Sequence, residues 1–168
     1  MERFGKLRCN ILLAIVSFFW SGLVSKKMPG TVGSVVATSI LIVIKPSYDI
    51  TIWLVLCNFV IGWFACKCYI PNYESNRDPG YIVIDEVCGI FFGASIIEYF
   101  GYNSTVDLLI NLALFRIFDI FKPFPIKTIE LYMKNKEKLF AIGIMLDDIV
   151  AAILSSVIQI AVVTKFYF

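Results

Sequence analysis

The chain has 168 residues, the length of one domain, but 59% of them are hydrophobic, against about 45 to 50% in soluble domains, and mean hydropathy is +0.81. A single domain spanning residues 1–168 and embedded in a membrane is expected. The chain has no histidine, which excludes Ser/His/Asp and Cys/His catalysis, histidine phosphatases and histidine-containing zinc sites, and its net charge of +2 is scattered over short loops, so no nucleic acid is expected as a partner.

Arg3, Lys6 and Arg8 precede an apolar run from Ile11 to Ser25. The run is bulky, with Phe18, Phe19 and Trp20, and ends at Lys26-Lys27 instead of a small-residue cleavage site, so it reads as an interfacial or buried helix and not as a secretory signal. Lys26 to Ser34, K-K-M-P-G-T-V-G-S, follows; Pro29-Gly30 predicts a turn, and Gly33-Ser34 a close backbone approach before a helix starting at Val35. Free N–H groups at that helix start, with Thr31 and Ser34 hydroxyls and the nearby Lys27, could hold a phosphate; an ordinary capped turn has the same sequence.

Ile50 to Cys66 is the clearest spanning candidate, and Cys68 to Arg77 reads as a loop. The five cysteines, Cys9, Cys57, Cys66, Cys68 and Cys88, have neither zinc nor phosphatase-loop spacing and are expected to be buried hydrophobes. Asp78 to Gly89, D-P-G-Y-I-V-I-D-E-V-C-G, sets three carboxylates in apolar surroundings. Asp78-Pro79 predicts an N-cap and first helical position, with Asp85 two turns further on and Glu86 beside it. Burying an unpaired carboxylate costs several kcal/mol. Cations should therefore meet Asp85 and Glu86.

A helix is predicted from Thr105 to about Phe121, closed by Pro123. Arg116, Asp119 and Lys122 recur every three residues, so they share one edge, and Asp119 sits in the last turn where the helix dipole disfavours it. An Arg116–Asp119 salt bridge or a functional site accounts for that placement. Lys127 to Lys138 reads as a solvated amphipathic segment, and Asp147-Asp148 stand at the mouth of the last apolar run, Ile149 to Val163, as a cap or as ligands.

An all-α, multi-helical membrane fold with several short helices makes these stretches meet. Helical hairpins over residues 35–66 and 87–118 return all four to one side, which carries most loop lysines and arginines and is therefore cytoplasmic by the positive-inside tendency. The assembled acids are Asp78, Asp85, Glu86, Asp119, Asp147 and Asp148; the cations are Arg116, Lys122 and Lys27. Hard oxygen ligands favour Mg2+, and basic groups beside it suit a phosphorylated substrate, here a phospholipid head group.

Together, K-M-P-G-T-V-G-S ending at Ser34, D-P-G-Y-I-V-I-D-E-V-C-G, F-R-I-F-D-I-F-K-P-F-P-I at Phe115 to Ile126 and G-I-M-L-D-D-I-V-A-A at Gly143 to Ala152 make the chain resemble the phosphatidylglycerophosphatase A family of bacterial membrane lipid phosphatases. The resemblance covers most of the chain. It implies magnesium-dependent hydrolysis of phosphatidylglycerophosphate to phosphatidylglycerol and phosphate, in phospholipid biosynthesis at the inner membrane, with the six acids as the family's acidic positions. The chain departs from the family where a Gly-Gly pair usually precedes the last motif; Phe140-Ala141-Ile142 stand there instead, and Ala152 replaces a common glycine.

On this reading Asp85 and Glu86, with Asp147 or Asp148, hold one or two ions; Arg116 and Lys122 offset phosphoryl charge; and Asp119 orients Arg116 or the attacking water. Attack by water and by one of the acids both fit. The rival is a cation-coupled transporter or channel component, which calls for acids spread through the depth of the bilayer.

Overall fold

The computed structural model describes residues 2–73, 79–124, 126–134 and 139–167. Among them are eight helices and no strand: α1 (Glu2–Val16), α2 (Ser21–Val24), α3 (Pro29–Ile44), α4 (Tyr48–Tyr73), α5 (Ile84–Tyr99), α6 (Thr105–Phe121), α7 (Ile126–Lys134) and α8 (Phe140–Tyr167). The fold is all-α, as composition and periodicity predict.

The helix boundaries depart from the sequence reading in five places. The Ile11–Ser25 run is broken after Val16 because the Ser17 hydroxyl donates to Leu13 O at 2.6 Å and accepts from Trp20 N at 3.2 Å, competing with the helical ladder. Helix α3 starts at Pro29, not Val35: Pro29 occupies the first helical position, where its fixed φ suits the helix, so Thr31 and Ser34 lie inside the first turns and not ahead of them. Helix α4 runs on through Pro71 to Tyr73 because Tyr69 and Ile70 are buried against the core and the Asn72 side chain donates to Cys68 O at 2.7 Å. Helix α5 starts at Ile84 instead of Pro79. Ahead of it, Ile82 N closes a turn onto Pro79 O, and Val83 N donates to Val16 O at the end of α1, so this stretch is spent on a tertiary contact. Asp78 lies outside the described residues. Helix α8 begins at Phe140, which puts Asp147 and Asp148 two turns inside it, buried, and excludes a capping role for the pair.

Helix α5 is buried on nearly every side, packed among α3, α4, α6 and α8, as expected of a helix apolar all round. Its closest partner, α8, approaches through small residues. A β-carbon at Gly89 would lie 2.7 Å from Phe115 Cε2 and 3.2 Å from Asp148 O, so only glycine allows this spacing. Ala151, Ala152, Ser155 and Ser156 line the α8 side of the core with almost no exposure. This close approach lays the first turn of α5 beside Asp148.

The outer surface is apolar. Trp53, Leu56, Val60 and Phe64 form an exposed stripe on α4, and Ile153 and Val157 lie exposed on one face of α8. Exposed Cys57 belongs to the α4 stripe, and only Cys66 and Cys88 are fully buried, so the cysteines are not uniformly core residues. Tyr48–Asn72 and Phe140–Lys165 are long and apolar enough to cross a membrane. Contiguous apolar surface of this extent is what a lipid-facing exterior requires. The chain is an all-α membrane protein.

A polar cluster ties the far half of the bundle together. Asn111 Nδ2 donates to Ser156 Oγ at 3.2 Å and Gln159 Oε1 at 3.0 Å, Ser156 Oγ to Gly93 O at 3.2 Å, and Gln159 Nε2 to Asp107 O at 2.9 Å, joining α5, α6 and α8. Interhelical bonds of this kind contribute about 0.6 to 2 kcal/mol in membrane proteins. Asn111→Ala is expected to lower the thermal midpoint in detergent by several degrees; an unaltered midpoint would show the cluster to be energetically silent.

Candidate active site

The acid site lies at the end of the bundle where α3 and α5 begin, α6 ends and α8 has completed two turns. Asp85 and Glu86 occupy the first turn of α5, where the positive helix end favours carboxylates. Asp148 comes from the buried face of α8, and oxygens of Asp85, Glu86 and Asp148 lie within 4.8 Å of one another. Asp119 and Lys122 come from the last turn and C-cap of α6.

Lys122 takes the left-handed conformation, φ 42°, that closes α6 before Pro123, and its Nζ meets Asp147 Oδ2 at 2.8 Å. Arg116 Nη1 contacts Asp119 Oδ2 at 2.6 Å and Glu86 Oε1 at 3.8 Å, so the acid in the last turn of α6 is offset by a cation three residues earlier. A cavity of about 190 Å3 is bounded by Gly80, Ile82, Ile144, Asp85, Glu86, Asp119, Lys122, Asp147 and Asp148. The sequence-predicted acids, apart from Asp78, are thus gathered around one space.

The remaining candidates stand further back. Arg116 does not line the cavity. Ser34 is fully buried, its hydroxyl donating to Gly30 O at 2.8 Å with Arg116 Nη1 3.5 Å away, whereas Lys27 is exposed and Thr31 half-buried on the first turn of α3. None of these four lines the cavity.

Gly30 escaped the sequence reading, where it was one half of a turn. A β-carbon there would overlap Glu86 Oε1 and lie 3.2 Å from Arg116 Nη1, so α3 can rest against the Glu86–Arg116 pair only without a side chain. The signal available in the sequence was a glycine directly after a helix-starting proline, next to no flexible stretch.

Glu86 Oε2 is buried without a hydrogen-bond partner. Three converging carboxylates with such an oxygen fit a hard cation: it would cancel the repulsion and accept the unpaired oxygen as a ligand.

A model of the family described as phosphatidylglycerophosphatase A matches residues 14–163. The chain belongs to the phosphatidylglycerophosphatase A family. A phosphatidylglycerophosphatase A of Haemophilus influenzae is 33% identical over 147 residues, covering 86% of this chain and 83% of its own. One of Escherichia coli is 31% identical over 142 residues, covering 82% and 75%. A Bacteroides thetaiotaomicron protein carrying a provisional name as a phosphatidylinositol-3-phosphatase is 28% identical over 138 residues, covering 77% and 80%. No solved structure matches this chain. The phosphatidylglycerophosphatase A family is a phosphatase family, and the match spans every element that contributes to the acid cavity.

Proposed function

We propose that this protein is a magnesium-dependent phosphatase that hydrolyses phosphatidylglycerophosphate to phosphatidylglycerol and inorganic phosphate in phospholipid biosynthesis. It would be a multi-pass protein of a bacterial inner membrane, with the acid cavity at the cytoplasmic face. The observation that carries this reading is the convergence of carboxylates from α5, α6 and α8 with Lys122 around one small cavity at one end of a lipid-facing bundle. Family membership supports the same chemistry. The rival transporter calls for acids distributed through the bundle, and the motif acids that are described gather at one end.

Asp85, Glu86 and Asp148 would hold the ion, with Asp147 beside them. Magnesium bound there supplies charge neutralisation on the phosphate and a lower pKa for water. Lys122, held at 2.8 Å by Asp147, faces the cavity and offsets charge that builds on the phosphoryl oxygens. Asp119 lines the cavity and orients the attacking water, while Arg116 keeps Asp119 and Glu86 in place. Ser34, whose hydroxyl is committed to Gly30 O, acts through Arg116; Lys27 and Thr31, on the exposed side of the α3 start, meet the head group outside the cavity.

The direct test is phosphate release from phosphatidylglycerophosphate by purified protein with and without magnesium, with phosphatidic acid as competitor. Activity that survives chelation would remove magnesium from the account, and absence of phosphate release would remove the enzyme.

A further inference from the structure

A larger cavity, about 340 Å3, opens at the opposite end of the bundle, where α3 and α5 end and α6 begins. Glu98 follows Glu86 by twelve residues along α5, which places the two about 18 Å apart along the helix axis. Nothing bound in one cavity with a head group of ordinary size reaches the other.

The walls of this second cavity combine Lys45 and Glu98 with Asn103 and Ser104, and with the apolar Leu41 and Leu108. Both charged residues sit where local rules disfavour them. Lys45 closes α3 in the left-handed conformation, φ 47°, a position that glycine fills without the roughly 1 to 2 kcal/mol cost borne by other residues. Glu98 lies in the last turn of α5, against the negative end of its dipole. Among the described residues neither takes part in an ion pair, with each other or with a third group. The Thr51 hydroxyl, on the same wall, lies within hydrogen-bonding reach of the Glu98 carboxylate, and the Lys45 ammonium lies further from that carboxylate than an ion pair. Val43 and Ile44, beside Lys45, are 80% and 66% exposed, so the lipid-facing surface continues up to the cavity.

We propose that this cavity binds the head group of a zwitterionic ethanolamine phospholipid from the leaflet opposite the acid site, its phosphate against Lys45 and its primary ammonium against Glu98. The chemistry selects among head groups. A glycerol phospholipid has no ammonium and sets its net negative charge beside Glu98. A choline phospholipid has the charge but no N–H to donate to the carboxylate, and only the primary amine forms a charge-assisted hydrogen bond there. Asn103 adds a polar side chain to the same wall, while the Ser104 hydroxyl is held in the capping box of α6 with Asp107. The proposal rests on the membrane placement given above but not on the hydrolytic step.

The test uses the full chain in detergent micelles, with ethanolamine, glycerol and choline phospholipids of matched acyl chains offered at equal concentration and the bound lipid counted by native mass spectrometry. The ethanolamine lipid is expected to be retained at least tenfold better than either of the others. Glu98→Gln should bring its retention down to the level of the glycerol lipid, and Lys45→Gln should weaken it severalfold, with phosphate release from phosphatidylglycerophosphate unchanged in both. Equal retention of the three lipids by the wild type would overturn the proposal, as would undiminished preference in both variants; if Glu98→Gln does not fold, Lys45→Gln decides. A wild type that binds the ethanolamine lipid but releases no phosphate would defeat the phosphatase reading and leave this inference standing.

Discussion

Replacing Asp85 with asparagine is expected to cut phosphate release at least about a thousandfold, a loss of about 4 kcal/mol in transition-state stabilisation, while the protein remains folded in the membrane. Asp85 stands in the first turn of α5, shares its cluster with Glu86 and Asp148, and borders the cavity. Asparagine keeps the shape and removes one of three crowded carboxyl groups. Without magnesium the variant should therefore be as stable as the wild type or more so, and if the proposed site holds magnesium, the wild type should gain more stability from it than the variant does. This opposite movement of stability and activity is what distinguishes a ligand from a structural acid. An Asp85→Asn protein with wild-type turnover and an intact magnesium response would sink the assignment.

Gly30→Ala should produce the second largest effect, and with an unusual sign. In most helices this change stabilises by about 1 kcal/mol, because alanine is the better helix former. Here the new methyl group would overlap Glu86 Oε1 and crowd Arg116 Nη1, and the carboxylate is buried and braced by that guanidinium, so it has little room to yield. Either α3 is pushed outwards or Glu86 leaves the cluster. Turnover is expected to fall about a hundredfold, since displacements near 1 Å at a reacting centre cost that much, and the thermal midpoint should drop instead of rising. Gly101→Ala is the control. Gly101 has φ 86° with open space around it at the opposite end of the bundle, so alanine there should lower stability through the backbone and leave turnover alone. Equal turnover for Gly30→Ala and wild type would mean that the α3–Glu86 contact is incidental.

Both predictions depend on how the bundle is packed, because the acids are delivered by helix contacts rather than by a loop. Gly89 lets α5 approach α8 until Asp148 meets the first turn of α5, and Gly30 lets α3 close over the other side of Glu86. Lys122 reaches Asp147 only because Pro123 ends α6 with Lys122 in the left-handed conformation. Rigid elements position such groups more closely than mobile segments can.

The amino-acid sequence by itself determined the helical class, the apolar exterior and the residues that carry the chemistry, since hydropathy, proline placement and carboxylates in apolar surroundings are local signals. It also fixed both ends of α6, from Thr105 to Phe121, because a Ser104–Asp107 capping box and Pro123 are written in adjacent residues. The starts of α5 and α8 were decided by tertiary contacts: Val83 spends its N–H on Val16 O, and Asp147 and Asp148 are held inside α8 by what faces them, so neither boundary follows from propensity. The same holds for the division of labour among the charged residues. Period-three spacing put Arg116, Asp119 and Lys122 on one edge, but only the packed bundle turned Arg116 towards Glu86 and Lys122 towards Asp147, because a contact between distant residues is a property of helix spacing and not of any one segment.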